Sequence, residues 1–466
     1  MVTFASVTLS CYRVTITFNL RPVDVHKLSP TSGAVIVIPF RSRCHVSLET
    51  KLLVSQELSI NKSPIIFGDC HTMKILCFDD TRQAFVACFA PTALCTRMNR
   101  EMTESNVPRT NARSSDMLWG FWYPALRSEQ VRRHKLVRAM LLDVPLVLGR
   151  DVAGKPFALR DICPHRAFPL SFGQFDGKSV ECAYHGWKFD AHSGQCRAIP
   201  SLTDDSKLKC DRIYAGSFPC EERDGYVWAY MTNSEGRGLA ELPPPPPELP
   251  TFSSGYKIAH LYADLPCGVD QAIIGLMDPA HGPFVHQAWW WRTRRSIRDK
   301  EKKFEPIPNG FRMSPHAPSA NSAPYKILKL LTGEPATTMI DFVLPNQRFE
   351  QIRAGRYWLS SRTTVTPIRR DFCRLDFCAA WNILPWFPVV SFIINVFGPR
   401  FIRQDTEVIK KQAMGLQYED RMMLIDDADR QARWYFELKA AYQDSLRSGQ
   451  PPRHPMSGPV TLRWRS

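Results

Sequence analysis

Asp161-Ile-Cys163-Pro-His165-Arg166 and Cys182-Ala-Tyr-His185-Gly186-Trp187 decide how this chain is read. They form a C-x-H and a C-x-x-H pair separated by sixteen residues. Two thiolates and two imidazoles on two short loops can hold a metal centre. Zinc is the first candidate, because two Cys and two His close a tetrahedral site. A zinc finger, however, keeps its Cys together and its His together, whereas each loop here gives one of each. That distribution suits a two-iron cluster with both thiolates on one iron and both imidazoles on the other. Replacing two thiolates by neutral imidazoles removes negative charge, so such a cluster is easier to reduce than an all-Cys one.

The surrounding text fits a small antiparallel scaffold. Residues 136–163 hold short β-rich runs broken by Asp-Val-Pro and Ala-Gly-Lys, and His192-Ser193-Gly194 reads as a further turn. His192 reads as a surface group, and Cys196, Cys210 and Cys220 as ordinary cysteines outside the ligand spacing. With GFWYPAL before the loops and DGYVWAYM (224–231) after them, the motif pair resembles the Rieske [2Fe-2S] domain. Respiratory-chain members carry an extra Cys in each loop, and this chain has none. It is therefore similar to the oxygenase type.

Pro243 to Pro247 is a run of five prolines, stiff and extended, that marks a domain boundary near residue 248. Beyond it stands Asp278-Pro-Ala-His281-Gly-Pro-Phe-Val-His286. Two imidazoles plus one carboxylate make the facial triad that suits ferrous iron and leaves positions open for dioxygen. A His pair alone is weak; downstream of the Cys/His loops it becomes strong. The whole pattern resembles the Rieske non-haem iron oxygenases, in the branch with pheophorbide a oxygenase and vanillate demethylase, over roughly residues 116–440.

The resemblance implies most of the chemistry. Cys163, His165, Cys182 and His185 would bind one [2Fe-2S] cluster per chain, and His281, His286 and a later carboxylate one mononuclear Fe(II). Asp405, in RFIRQDTEVIKKQ where a helical pattern begins, matches that carboxylate. Glu407, Asp426 and Asp427 remain alternatives, and Asp371 and Asp376 read as solvent-facing or structural. Asp278 takes the catalytic role of linking His281 to His185 of a neighbouring subunit, with a helix-capping Asp as the plainer reading. Ile274 departs from the family's polar residue. The expected fold is α+β: the Rieske antiparallel β domain over 116–242, then a helix-grip (START-like) catalytic domain over 249–466. Strands are expected at 341–344 and 355–365 and a long helix over 407–445.

The implied function is an O2-dependent mono- or dioxygenase that hydroxylates or demethylates a hydrophobic, aromatic or polycyclic substrate. An iron-dependent desaturase is one alternative. A Rieske electron-transfer protein is another, though it would need neither His281 nor His286. No strand–GxGxxG–helix segment exists for a nicotinamide or flavin, so electrons would come from a separate NAD(P)H-dependent reductase or ferredoxin. A homotrimer is implied. Trp289 to Trp291 and residues 379–397 border a candidate substrate channel, and Arg292, Arg294 and Arg295 could meet a carboxylate. Ordinary packing and exposed charge remain open for each. The apolar run 379–397 contains Asn382, Pro385, Pro388 and Asn395, so a buried or membrane-contacting segment is favoured over a transmembrane span.

Across 466 residues, 60 Lys+Arg against 45 Asp+Glu give a net charge of +15. The basic residues are scattered and no nucleic-acid motif occurs, so the charge fits an acidic protein partner better than nucleic acid. Residues 1–97 hold six of the fourteen Cys and show no clear strand–turn series. A secretory signal and a transit peptide compete with the favoured reading, an atypical extension that is not a functional domain, with Met98 or Met102 as the start. The remaining cysteines need no disulfide, which fits a cytoplasmic enzyme.

Overall fold

The computed structural model describes residues 117–232, 243–287, 293–318, 328–330, 332–418 and 422–466, with six strands inside 5–87. The chain divides into two compact units, Met1–Ala112 and Arg113–Ser466. In the first, Ala5–Cys11, Val14–Leu20 and His45–Ser47 form one antiparallel sheet, and Val35–Pro39, Gln83–Ala87 and Lys74–Cys77 another. This differs from the expectation of no strand series. The β-branched runs VTITF and VIVI supply the strands. Met98, Met102, Trp289 to Trp291 and Arg292 lie outside the described residues.

The second unit opens with three small antiparallel sheets. Val137–Leu141 and Val144–Arg150 form a hairpin whose two-residue turn, Leu142-Asp143, has positive φ at both positions, as a type I′ turn requires. Pro145 therefore lies within the second strand and does not make the turn. Gln174–Phe175, Ser179–Glu181, Lys188–Asp190 and Cys196–Ala198 build the sheet that carries the second Cys/His loop. Its last turn needs Gly194 (φ +67°): a Cβ there would lie 1.9 Å from the Ala215 carbonyl oxygen. Tyr226–Met231 pairs with Phe121–Arg127 and brings the two flanks of the domain together.

The larger part of this unit is built on an eight-stranded antiparallel sheet. Its order is Lys257–Leu265, Phe372–Trp381, Tyr357–Arg369, Gln347–Ala354, Thr337–Val343, Gly310–His316, Asp299–Ile307 and Val460–Arg465. Helix α1 (Val269–Met277) follows the first strand, and the single turn α2 (Gly282–Val285) follows α1. Two long helices complete the fold, α3 (Val389–Leu416) and α4 (Arg430–Ser448). Trp434, Tyr435 and Leu438 of α4 pack on Phe304, Phe311 and Phe342 of the sheet. Burying each such aromatic is worth roughly 1.5–3 kcal/mol. Asp270 accepts from Tyr435 Oη (2.6 Å) and Lys439 Nζ (2.7 Å), which ties α1 to α4. The fold is thus α+β, with strands where 341–344 and 355–365 were expected. The helical pattern differs. Instead of one run over 407–445, α3 begins at Val389 and the chain breaks before α4.

The proline run is moored to its surroundings. Trp122 Nε1 donates to the Pro244 carbonyl (2.6 Å), and Arg362 Nη1 donates to the Pro247 carbonyl (2.8 Å) and to Asp224 Oδ2 (2.7 Å). Arg362 is buried, and its guanidinium also lies 4.8 Å from the Trp228 ring. Asp376, opposite Thr364 in the sheet, is likewise buried and not solvent-facing. Burial pushes its carboxyl up to about 7, against the pull of Arg374, Arg127 and Arg362. Asp371, at the neighbouring hairpin turn, is exposed as expected.

Candidate metal centres

The two Cys/His loops close in the same way. Cys163 N–H donates to the Phe168 carbonyl (2.8 Å) and Ala167 N–H to the Cys163 carbonyl (2.9 Å). In the second loop Cys182 N–H donates to Trp187 (2.9 Å) and Gly186 N–H to Cys182 (2.9 Å). The fifth residue of each loop is left-handed, Ala167 at φ +56° and Gly186 at φ +69°. This repeated clamp sets each Cys at a loop mouth and each His near its tip.

Cys163 and Cys182 are buried, while His165 and His185 are partly exposed. The two imidazole centroids lie 4.5 Å apart, and His165 stacks on Trp187 at 4.7 Å with 5° between planes. His165 Nδ1 is buried and has no hydrogen-bond partner. A buried ring nitrogen without a proton partner is what a metal ligand leaves behind in a structure without metals. Burial pushes the Cys163 thiol up to about 11, helped by Cys182 and opposed by the His165 backbone amide. A bound cation supplies the charge that deprotonates such a thiol. These donors fit a [2Fe-2S] cluster. Asp161, whose role the sequence did not reveal, holds the first loop: it accepts from Ser171 N–H (2.6 Å), Ser171 Oγ (2.7 Å) and Arg138 Nε (3.1 Å). The other cysteines of this domain, Cys196, Cys210 and Cys220, are free, and His192 sits on the surface against Asp151.

The second centre is assembled from two segments. Helix α2 is bracketed by His281 and His286, and its two closing bonds, Val285 N–H to His281 and His286 N–H to Gly282, turn both rings to one side. Their Nε2 atoms are 3.2 Å apart. Asp405 Oδ1 lies 3.0 Å from His286 Nε2 and 3.8 Å from His281 Nε2. Among the described residues these three form the group able to hold one ion, all ligand atoms within 4.8 Å. Two imidazoles and a carboxylate are a donor set for ferrous iron. Asp405 sits well inside α3, not near its start, so a helix N-terminal acid is no account of it. Glu407 instead pairs with Lys410 on the exposed side (2.9 Å), and Asp427 accepts from Arg463 N–H.

Both rings are oriented from behind. His286 Nδ1 lies 3.0 Å from Gln404 Oε1, which turns Nε2 towards the group, and the ring stacks on Phe401 at 3.7 Å. Gln404 and Phe401 were missed from sequence; their position beside Asp405 was the only signal. His281 Nδ1 lies 3.6 Å from Asp278 Oδ2, an electrostatic contact longer than a hydrogen bond. Burial resists a charge on His281, but Asp278 and then Asp405 outweigh it, so its pKa lies above the ordinary value. Asp278 also caps the turn through Oδ1, which accepts from Ala280 N–H (2.6 Å).

A cavity of about 490 Å³ opens beside His281 and Asp405. Its walls are mostly apolar, from α1, from α3 beyond Ile402, and from residues 422–432. Residues 379–397, expected to border the channel, take no part in it. Arg294 lies over Phe284 and does not line the cavity.

Residues 121–212 match the family description "Rieske [2Fe-2S] domain". The chain is 28% identical over 370 residues to chlorophyllide a oxygenase, chloroplastic, of Chlamydomonas reinhardtii, covering 73% of this chain and 51% of that protein. It is 33% identical over 171 residues to the dicamba O-demethylase oxygenase component of Stenotrophomonas maltophilia, 36% of this chain and 47% of that one. The chain thus spans about half the length of these relatives. The crystal structure of dicamba monooxygenase bound to dicamba has the same fold, with TM-score 0.56, 21% identity, and coverage of 71% of this chain and 99% of that chain.

Proposed function

Because this chain belongs to the Rieske non-haem iron oxygenase family, we propose that it hydroxylates or demethylates a hydrophobic, aromatic or polycyclic small molecule. The observation that carries this reading is the meeting of His281, His286 and Asp405 in the same unit as the two Cys/His loops. Cys163 and Cys182 would hold one iron of a [2Fe-2S] cluster and His165 and His185 the other, while His281, His286 and Asp405 would hold one Fe(II). When bound, these groups supply one-electron transfer and dioxygen activation.

The chain's own residues do the rest. Gln404 lies against Nδ1 of His286 and Asp278 stands 3.6 Å from Nδ1 of His281, so that both Nε2 atoms face inward. Three protein ligands gathered on one side leave the other side open. The mostly apolar cavity beside His281 has the volume of a small-molecule site and favours an apolar substrate. Electrons would come from a separate reductase or ferredoxin, and the net charge of +15 favours an acidic one. Asp278 is half-exposed, and we assign it the electron path between His281 and His185 of the partner subunit in a homotrimer.

Residues 116–242 and 249–466 are then the two working domains, and 1–97 is an extension outside them. The eight cysteines among the described residues are free, which supports a reducing, cytoplasmic address. A relative named as chloroplastic makes a plastid the alternative, and imaging of a tagged chain decides between them. Metal analysis tests the central reading: about three irons and two acid-labile sulfides per chain are expected. Zinc without sulfide overturns it. A product screen with a surrogate reductase then identifies the substrate.

A further inference from the structure

The first half of α3 and the turn before it present a face that the site does not use. Trp386 is 78% exposed, Phe392 62%, Ile393 48% and Phe387 46%. Trp386 and Phe387 lie side by side, 5.7 Å between centroids, in a turn closed by Phe387 N–H to the Leu384 carbonyl. Phe392 and Ile393 follow one turn into the helix. The opposite side of the same stretch packs closely, since a Cβ on Gly398 would lie 2.3 Å from Leu261 Cδ1. Further along, Thr406 and Ile409 are buried, so the second half of α3 is anchored in the core while the first half projects its apolar side chains. Soluble domains rarely leave several large apolar groups together in water without a use for them.

Along the chain, the charges next to this apolar stretch have one sign. From Trp386 to Gln404 the only charged side chains are Arg400 and Arg403, both exposed, and the first acid is Asp405. Arg400 donates to the Val396 carbonyl (2.8 Å) and stands 6.0 Å from the Phe397 ring, at the border of the apolar face. An apolar face with a Trp and flanking arginines is the composition of a helix that lies in the headgroup layer of an anionic bilayer. It does not cross: no helix of the described residues is long and apolar enough to span a membrane.

We propose that Trp386, Phe387, Phe392 and Ile393, flanked by Arg400 and Arg403, seat this protein on the surface of an anionic lipid bilayer. The seat rests on the fold and not on the iron chemistry proposed above, so either can fail alone. It brings the cavity, lined by Ile402 farther along the same helix, close to a phase in which apolar molecules concentrate.

The test is co-sedimentation of the full chain with vesicles of phosphatidylcholine containing phosphatidylglycerol, and with pure phosphatidylcholine. The chain should bind the anionic vesicles at least tenfold more tightly, and high salt should remove the difference. The paired variant Trp386→Ser/Phe392→Ser should lose about tenfold or more on both. Arg400→Gln and Arg403→Gln should each lose about fivefold on anionic vesicles only. Unchanged circular dichroism and cluster absorbance show that the variants fold. Absence of binding by the unmodified chain, or equal binding by the paired variant, overturns the proposal. So does a change in particle mass by light scattering in the paired variant, because the face would then belong to a contact between copies of this chain.

Discussion

The two centres differ in how they are built. The Cys/His loops lie within 25 residues, from Cys163 to Trp187, and each is clamped by its own backbone. The His/His/Asp group joins residue 281 to residue 405, and Asp405 is held beside the histidines by the long-range packing of α3 and the contact of its neighbour Gln404 with His286. A local site survives much rearrangement elsewhere, whereas a non-local one depends on the whole fold. The loops should therefore tolerate changes that empty the second centre, and damage to them should show as stability more than as metal geometry.

Removing Asp405 is the sharpest way to separate the two. Asp405→Ala should lower iron from about three to about two per chain, leave sulfide at two, and cut product formation by more than about 100-fold. Equal loss of cluster absorbance would break the comparison by showing the centres to be one structural unit. Asp278→Asn comes next. Both centres should still load, while turnover falls by about 10- to 100-fold and reduction of the cluster by a chemical donor is unchanged; single-turnover kinetics read the difference, and full turnover would remove Asp278 from the electron path. Gln404→Leu deprives His286 Nδ1 of its acceptor, and a roughly tenfold weaker hold on iron is expected in a competition titration with a chelator. The smallest effect belongs to the loops. Gly186→Ala forces φ +69° on a residue with a Cβ, which would also meet Pro200 Cγ at 3.1 Å, and should cost the Rieske domain about 1–2 kcal/mol in denaturant. Ala167→Gly, at the equivalent position of the other loop, should change stability by less than about 1 kcal/mol.

What could be read from sequence follows the same division. Cys163, His165, Cys182 and His185 were legible because ligand spacing within a loop is a local property. His281 and His286 were legible for the same reason, one helical turn apart. Asp405 required a resemblance, since no spacing rule reaches across more than a hundred residues. Gln404 and Phe401 carry no pattern of their own; they matter because one face of α3 meets the ring of His286. The start of α3 was hidden because residues 379–397 mix the end of a strand, a turn with two prolines and the apolar half of a helix. Asp376 looked like a strand surface acid, but its face of the sheet is covered by the residues around Tyr226 and Arg362.

The mooring of the proline run joins the domain of the cluster loops to the eight-stranded sheet. With Trp122 holding Pro244 and Arg362 holding both Pro247 and Asp224, the link between the cluster loops' domain and the sheet is pinned at both ends. On the function proposed above, the same three bonds would fix the gap an electron crosses, and the partly exposed His165 and His185 edge is where a reductase would dock.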